Sequence, residues 1–226
     1  MHDDDKKLAA EAAVAEIRDG MRVGIGSGST VAFAIAAIGA RLGEWPGATF
    51  FSTSQGTYRA AHAAGIPISS FAAVSRLDLT IDGVDEIDPQ FRAIKGGGGA
   101  LLREKIVAEA SDRMVAIADG SKRVSTLGTV PLPVEVLPFA RSFVESRIAA
   151  LGAEPVLRPN GDKAYRTNQG NLVIDCRFPG IPDPEGLAAT MEAIPGILGH
   201  GLFLREIDAA YIADAGVVTK MERNPA

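Results

Sequence analysis

The sequence predicts an α/β protein, in which a mostly parallel, helix-covered sheet carries a smaller inserted α+β unit. Two observations support this. Helical and strand signals alternate from the start of the chain to about residue 122, as they do in successive βα units. The stretch 131–138, Pro-Leu-Pro-Val-Glu-Val-Leu-Pro, then breaks the regularity, and beyond it come two helical segments among a few strands.

Taken in order, the acidic opening 1–7 reads as a solvated lead-in, 8–18 as a helix ended by Gly20, and 22–25 as a short buried strand. A helix over 31–42, a strand over 49–52, a helix over 55–64 stopped at Gly65 and a strand over 77–81 repeat the alternation. A helix over 100–110 and a strand over 113–118 complete it. After the prolines, helices are expected at 141–151 and 184–193, and strands at 153–157 and 172–177. Segments 209–213 and 217–220 would return to the large sheet. The main domain is accordingly placed at 1–128 and 204–226, and the inserted unit at 129–203.

With 46% apolar and 23% charged residues, the chain is composed as a packed globular protein. Its net charge of -5 argues against a general nucleic-acid surface, so any phosphate must be met by a local site. The single cysteine, Cys176, excludes an internal disulfide framework and reads as a small buried strand residue. The apolar run 31–40 is too short to cross a bilayer and no signal peptide is visible, so a cytoplasmic location is the expectation.

Five segments that could carry chemistry fall at expected strand ends, where open α/β sheets bind ligands. Gly24-Ile25-Gly26-Ser27-Gly28-Ser29-Thr30 joins a strand to a helix whose free N–H groups favour an anion; a tight turn with a capping serine is the bland alternative. Thr53-Ser54-Gln55 reads as either a substrate contact or an ordinary helix cap. Asp82-Gly83-Val84-Asp85-Glu86-Ile87-Asp88 places carboxylates directly after an apolar strand, where they could meet a substrate, bind a divalent metal or form a solvated turn. The run 95–105, Lys-Gly-Gly-Gly-Gly-Ala-Leu-Leu-Arg-Glu-Lys, sets four glycines between Lys95 and Glu104, which reads as backbone approaching something closely or as a plain flexible loop. Glu104 could move a proton between adjacent carbons while Lys95 or an N–H steadies an oxyanion, or it could be a surface residue beside Arg103 and Lys105. Lys122, after Asp119-Gly120-Ser121, could clamp a phosphate or lie in a solvated loop. His2, His62 and His200 have no metal-ligand spacing, and no metal is expected.

With these motifs, and with Pro131-Leu132-Pro133-Val134-Glu135-Val136, the sequence resembles type A ribose-5-phosphate isomerase nearly end to end. The resemblance implies a Rossmann-like domain with an inserted ferredoxin-like α+β lid, which would also serve oligomerisation, in a homodimer or homotetramer. It implies interconversion of ribose 5-phosphate and ribulose 5-phosphate through an enediol, in the non-oxidative branch of the pentose phosphate pathway, with no cofactor. Glu104 matches the family's general base. Asp82 and Asp85 match the acidic pair that handles sugar hydroxyls and ring opening, and Lys95 matches the lysine at the oxygen end. Ser27, Gly28, Ser29, Thr30, Gly83, Val84, Gly96, Gly97, Gly98 and Lys122 match substrate-binding positions. Leu102 stands where many relatives have threonine and Val84 where alanine is frequent; Ser54 and Gln55 receive no catalytic role.

Other classes are a sugar-phosphate sensor on the same fold, an acyl-CoA transferase relative with a glutamate nucleophile, and a nucleotide-binding oxidoreductase. A sensor has no use for Glu104 and Lys95 around the glycine run. The oxidoreductase would need a third glycine where Ser29 stands and an acidic residue ending the strand at 49–52.

Overall fold

The computed structural model describes residues 2–223. Absences and counts below refer to those residues, and the expected domain ends at 1 and 224–226 lie outside them. In chain order the elements are α1 (His2–Val14), β1 (Arg22–Ile25), α2 (Ser29–Arg41), β2 (Thr49–Ser52), α3 (Gln55–Ala63), β3 (Leu79–Gly83), β4 (Glu86–Ile87), β5 (Ala93–Ile94), α4 (Leu101–Glu109) and β6 (Met114–Asp119). There follow β7 (Leu132–Val136), α5 (Arg141–Ala150), β8 (Glu154–Leu157), β9 (Pro159–Asn160), β10 (Lys163–Ala164), β11 (Leu172–Arg177), α6 (Pro184–Glu192), β12 (Ile197–His200), β13 (Leu202–Phe203), β14 (Ala209–Asp214) and β15 (Val217–Glu222).

The chain divides into two compact units, one of Met1–Val84, Arg103–Lys122 and Arg205–Ala226, the other of Asp85–Leu102 and Arg123–Leu204. The first holds a six-stranded sheet in the order β15-β14-β6-β3-β1-β2, parallel from β14 to β2 with β15 antiparallel at the edge. Strand order reverses between β1 and β3, the switch point at which doubly wound sheets open a crevice beyond the strand ends. Val23, Ile25, Ile81, Val115 and Ile117 of the sheet share a core with Ala9, Ala13, Val31 and Ile35 of α1 and α2. Val107 of α4 packs with Phe51 and Leu77 in a separate cluster.

The opening expected to be a solvated lead-in is the first turn of α1. Asp3, Asp4 and Asp5 favour a helix N-terminus, and Asp5 is buried, accepting a hydrogen bond from Gly216 N at 2.8 Å. At the other end of this unit, Glu16 accepts hydrogen bonds from Arg113 and Tyr211 and lies 3.2 Å from Lys220 Nζ. Burial raises its pKa, but these partners together outweigh burial and hold the carboxyl at about 2.

In the second unit β7, β8, β11 and β12 form an antiparallel sheet in the order β12-β7-β11-β8, with α5 after its first strand and α6 after its third. That is the split βαβ, ferredoxin-like arrangement. Leu132, Val134 and Val136 face Val144, Ile148, Ala188 and Met191 in its core. Strand β7 lies inside the proline-punctuated stretch, and it tolerates Pro133 for a geometric reason. The Pro133 carbonyl accepts from Gly201 N on the β12 side, so the missing N–H also faces that side, just past the last β7–β12 pair at Val134.

The units differ from the expected boundaries at 85–102 and 123–128, which pack with the second. Strands β4, β5 and β13 form a small antiparallel sheet there. Glu86 further accepts hydrogen bonds from Gly128 N and Val130 N, both at 2.7 Å, and from the Thr129 hydroxyl. No helix is long and apolar enough to cross a membrane.

Candidate active site

In the first unit the candidate residues gather at the carboxyl ends of parallel strands. Asp82, at the end of β3, is 1% exposed, and its Oδ1 accepts from Ser27 N at 3.0 Å and Gly83 N at 2.7 Å. The glycines before Ser27 make this possible. A Cβ on Gly26 would lie 1.9 Å from Asp82 Cγ, and one on Gly24 would lie 2.2 Å from Thr80 Oγ1. Both are required for close packing against β3.

Ser27 is turned inward as well. Thr53 and Thr57 spend their hydroxyl protons on Ile25 O and Gly26 O, so the Ser27 hydroxyl is the donor in its 2.8 Å bond to Thr53. Beyond it Gly28 adopts φ 114 at the N-terminus of α2 and provides no side-chain cap. The capping serine of the bland reading is therefore absent here, and the first-turn N–H groups of Ser29 and Thr30 remain available to an anion. Helix α3 differs: Ser54 accepts from Thr57 N and is an ordinary cap. Ser54 and Gln55 also line a cavity of about 440 Å³ with Ser52, Tyr58, Arg59 and Arg103.

Glu104 occupies the first turn of α4 and is 2% exposed, which removes the surface reading. Its neighbour Lys105 pairs with Glu206 at 3.3 Å instead. At the far end of α4, Ser111 Oγ meets Thr80 Oγ1 at 2.6 Å and Ala110 O accepts from Leu77 N, so α4 runs antiparallel to β3. Glu104 is thereby carried toward the end of β3 that holds Asp82.

At the end of β6, Asp119 Oδ1 accepts from Ser121 N at 3.0 Å and from the Ser121 hydroxyl. Burial raises its pKa, but the Ser121 bonds with Lys122 and His2 outweigh it and leave the carboxyl below its usual range. Lys122 is half-buried beside it. His2 of α1 lies 3.5 Å from Asp119, and Lys6, one turn later, pairs with Asp3 at 3.1 Å.

The second unit holds Asp85, Lys95 and the glycines. Lys95 is 1% exposed, its N–H bonds Gly201 O at 2.9 Å, and its Nζ lies 5.2 Å from the Phe203 ring centroid. Asp85 Oδ2 accepts from Gly97 N at 2.8 Å, and a Cβ on Gly97 would lie 2.9 Å from Asp85 Oδ1. Gly96 and Gly99 have positive φ, 93 and 79, and Gly99 N closes the turn on Gly96 O. A Cβ on Gly98 would meet nothing within 4 Å, so its side is open. The acidic stretch thus sorts itself. Glu86 is bound by the 128–130 turn, and Asp88 ties its own loop through Gln90 N, Arg92 N and Arg92 Nε, leaving Asp82 and Asp85. The chain crosses from one unit to the other at Val84–Asp85 and at Leu102–Arg103.

The ribose 5-phosphate isomerase A (phosphoriboisomerase A) family model matches residues 49–216. The chain belongs to this family. It is 49% identical over 222 residues to ribose-5-phosphate isomerase A of Sphingopyxis alaskensis, covering 98% of this chain and 97% of that one. Identity to the Agrobacterium fabrum protein of the same name is 46% over 216 residues, with 92% and 93% covered. Among solved structures, ribose 5-phosphate isomerase A from Neisseria gonorrhoeae superposes with a TM-score of 0.93 at 38% identity, covering 100% of this chain and 99% of that one. A D-ribose-5-phosphate isomerase in complex with phospho-erythronic acid gives 0.95 at 34% identity over 99% and 100%. For a member of the ribose 5-phosphate isomerase A family the isomerase reading stands above the sensor, transferase and oxidoreductase readings.

Proposed function

We propose that this chain interconverts D-ribose 5-phosphate and D-ribulose 5-phosphate, with Glu104 as the base that moves the proton. The observation that carries this is the near-complete burial of Asp82, Lys95 and Glu104, ionisable side chains that belong to neither hydrophobic core and whose burial folding alone does not favour. Asp82 and Asp85 handle the sugar hydroxyls and open the ring. In the open-chain aldose, Glu104 removes the C2 proton as electrons move onto the C1 carbonyl oxygen. Lys95 and the N–H groups of the glycine run steady that oxyanion. A proton then passes from the C2 hydroxyl to O1, and Glu104 returns its proton to C1, so the ketose forms with no net oxidation.

The phosphate is met by the free end of α2 at Gly28, Ser29 and Thr30 and by Lys122, while Ser27 holds Asp82. Gly83, Val84, Gly96, Gly97 and Gly98 line the path of the sugar. The reading further places the protein in the cytoplasm and the pentose phosphate pathway, as a homodimer or homotetramer whose inserted unit serves as lid. Incubation with ribose 5-phosphate in chelating buffer, following ketose formation, tests the assignment; a folded protein that forms no ketose would refute it. Lys122→Ala is expected to raise KM about tenfold or more with a smaller change in kcat, because a charge-assisted phosphate contact is lost. Steady-state kinetics check this, and an unchanged KM removes Lys122 from the phosphate site.

A further inference from the structure

Three successive carbonyls of the glycine run are bound by side chains from the inserted strands. Arg158, just after β8, donates through Nη1 to Gly97 O at 2.9 Å and, more weakly, to Gly96 O at 3.4 Å. Tyr165, just after β10, donates to Gly98 O at 3.3 Å. Asp175 on β11 fixes the Arg158 fork, accepting from Nε at 2.8 Å and from Nη2. The guanidinium also lies 5.7 Å from the Tyr165 ring centroid, and its side chain is only 14% exposed.

In a trans peptide the N–H points opposite the C=O, so whatever holds these carbonyls also aims the N–H groups behind them. The peptide whose oxygen is Gly96 O carries the Gly97 N–H that bonds Asp85 Oδ2. The peptide whose oxygen is Gly97 O carries the Gly98 N–H, which is aimed away from Arg158 at an exposed residue with open space beside it. Four glycines in a row have no intrinsic preference for this arrangement. The Gly99 N–H holds Gly96 O from within the run, so the external clamp acts chiefly on Gly97 O and Gly98 O.

We propose that Arg158, braced by Asp175, is a positioning residue of the isomerisation: it locks the 96–98 backbone so that Asp85 stays anchored and the Gly98 N–H faces the substrate oxygens. This rests on the functional reading above, in which Asp85 and the glycine run handle the sugar. Neither Arg158 nor Asp175 stands out in the sequence, where Asp175 falls within the expected strand 172–177 and Arg158 just past the one at 153–157.

The test is a kinetic cycle on the full chain. Arg158→Met is expected to lower kcat about 10- to 100-fold, the worth of a charge-assisted hydrogen bond, with KM within about threefold because the phosphate groups are untouched. In an Asp85→Asn background the same change should cost at least about threefold less, since residues acting through one another do not add. Arg158→Lys keeps a charge beside Asp175 but not the fork, and should remain about tenfold below wild type. Equal factors in the two backgrounds, or a fully active Lys variant, would overturn the proposal. If Arg158→Met does not fold, the Lys variant in both backgrounds carries the same comparison. An inactive wild-type chain defeats the functional reading, whereas an active wild type with unmoved Arg158 variants defeats only the clamp.

Discussion

Glu104→Gln is expected to lower kcat for ketose formation by about 10²- to 10⁴-fold, the range attributed to a positioned general base. Glutamine fills the same volume on α4 and leaves Val107, Ser111 and the packing beneath them unchanged, so the melting temperature should move little. The groups proposed to meet the phosphate, at Gly28 to Thr30 and Lys122, also remain. Binding of ribose 5-phosphate, measured by calorimetry, should accordingly persist within a few-fold while turnover is lost. A Gln variant that turns over at the wild-type rate would remove Glu104 as the base.

Gly26→Ala should be nearly as damaging, although it adds one methyl group at a residue with no chemistry of its own. The new Cβ would lie 1.9 Å from both Cγ and Oδ1 of Asp82, far inside van der Waals contact. The carboxylate must move, and in moving it leaves the N–H of Ser27. We expect a stability loss of about 1–3 kcal/mol, typical of overpacking, together with a fall in kcat of about 100-fold or more from the displaced Asp82. Gly43→Ala is the control, because a Cβ there meets nothing within 4 Å and its φ is ordinary. Denaturant melts and kinetics on both variants decide the matter. If Gly26→Ala is as active as Gly43→Ala, the packing of Asp82 against the first loop does not matter to turnover.

Much of the large sheet was legible because each βα unit writes its own signal. Strands β1, β2 and β6 and helices α2, α3 and α4 stand within two or three residues of their expected positions, since apolar periodicity and glycine stops act locally. Two of the places that failed share a cause, a partner distant in sequence. Strand β7 lies in the stretch that read only as a break in the regularity, and its register against β12 explains how Pro133 fits. The hairpin of β4 and β5 is too short to carry a periodic pattern, and it exists because β13, distant in sequence, supplies a third strand. The start of α1 was read by its polarity, whereas its acidic first turn is itself a helix signal.

The candidate site divides in the same way. The sequence alone determined which motifs are candidates, because four glycines between Lys95 and Glu104 and a carboxylate run after an apolar strand are costly to keep without a use. It also determined their order at strand ends. Only the tertiary structure decided which carboxylates are committed elsewhere. Glu86 and Asp88 are consumed by turns, Asp82 is held by the first loop, and Asp85 is tied to the glycines. Tertiary structure likewise separated Gly28, which leaves a helix end open, from Ser54, which closes one, and revealed Arg158 behind the glycine run. The physical reason is that residue type and spacing are properties of the chain, whereas a hydrogen-bond partner some 40 to 60 residues away is a property of the fold.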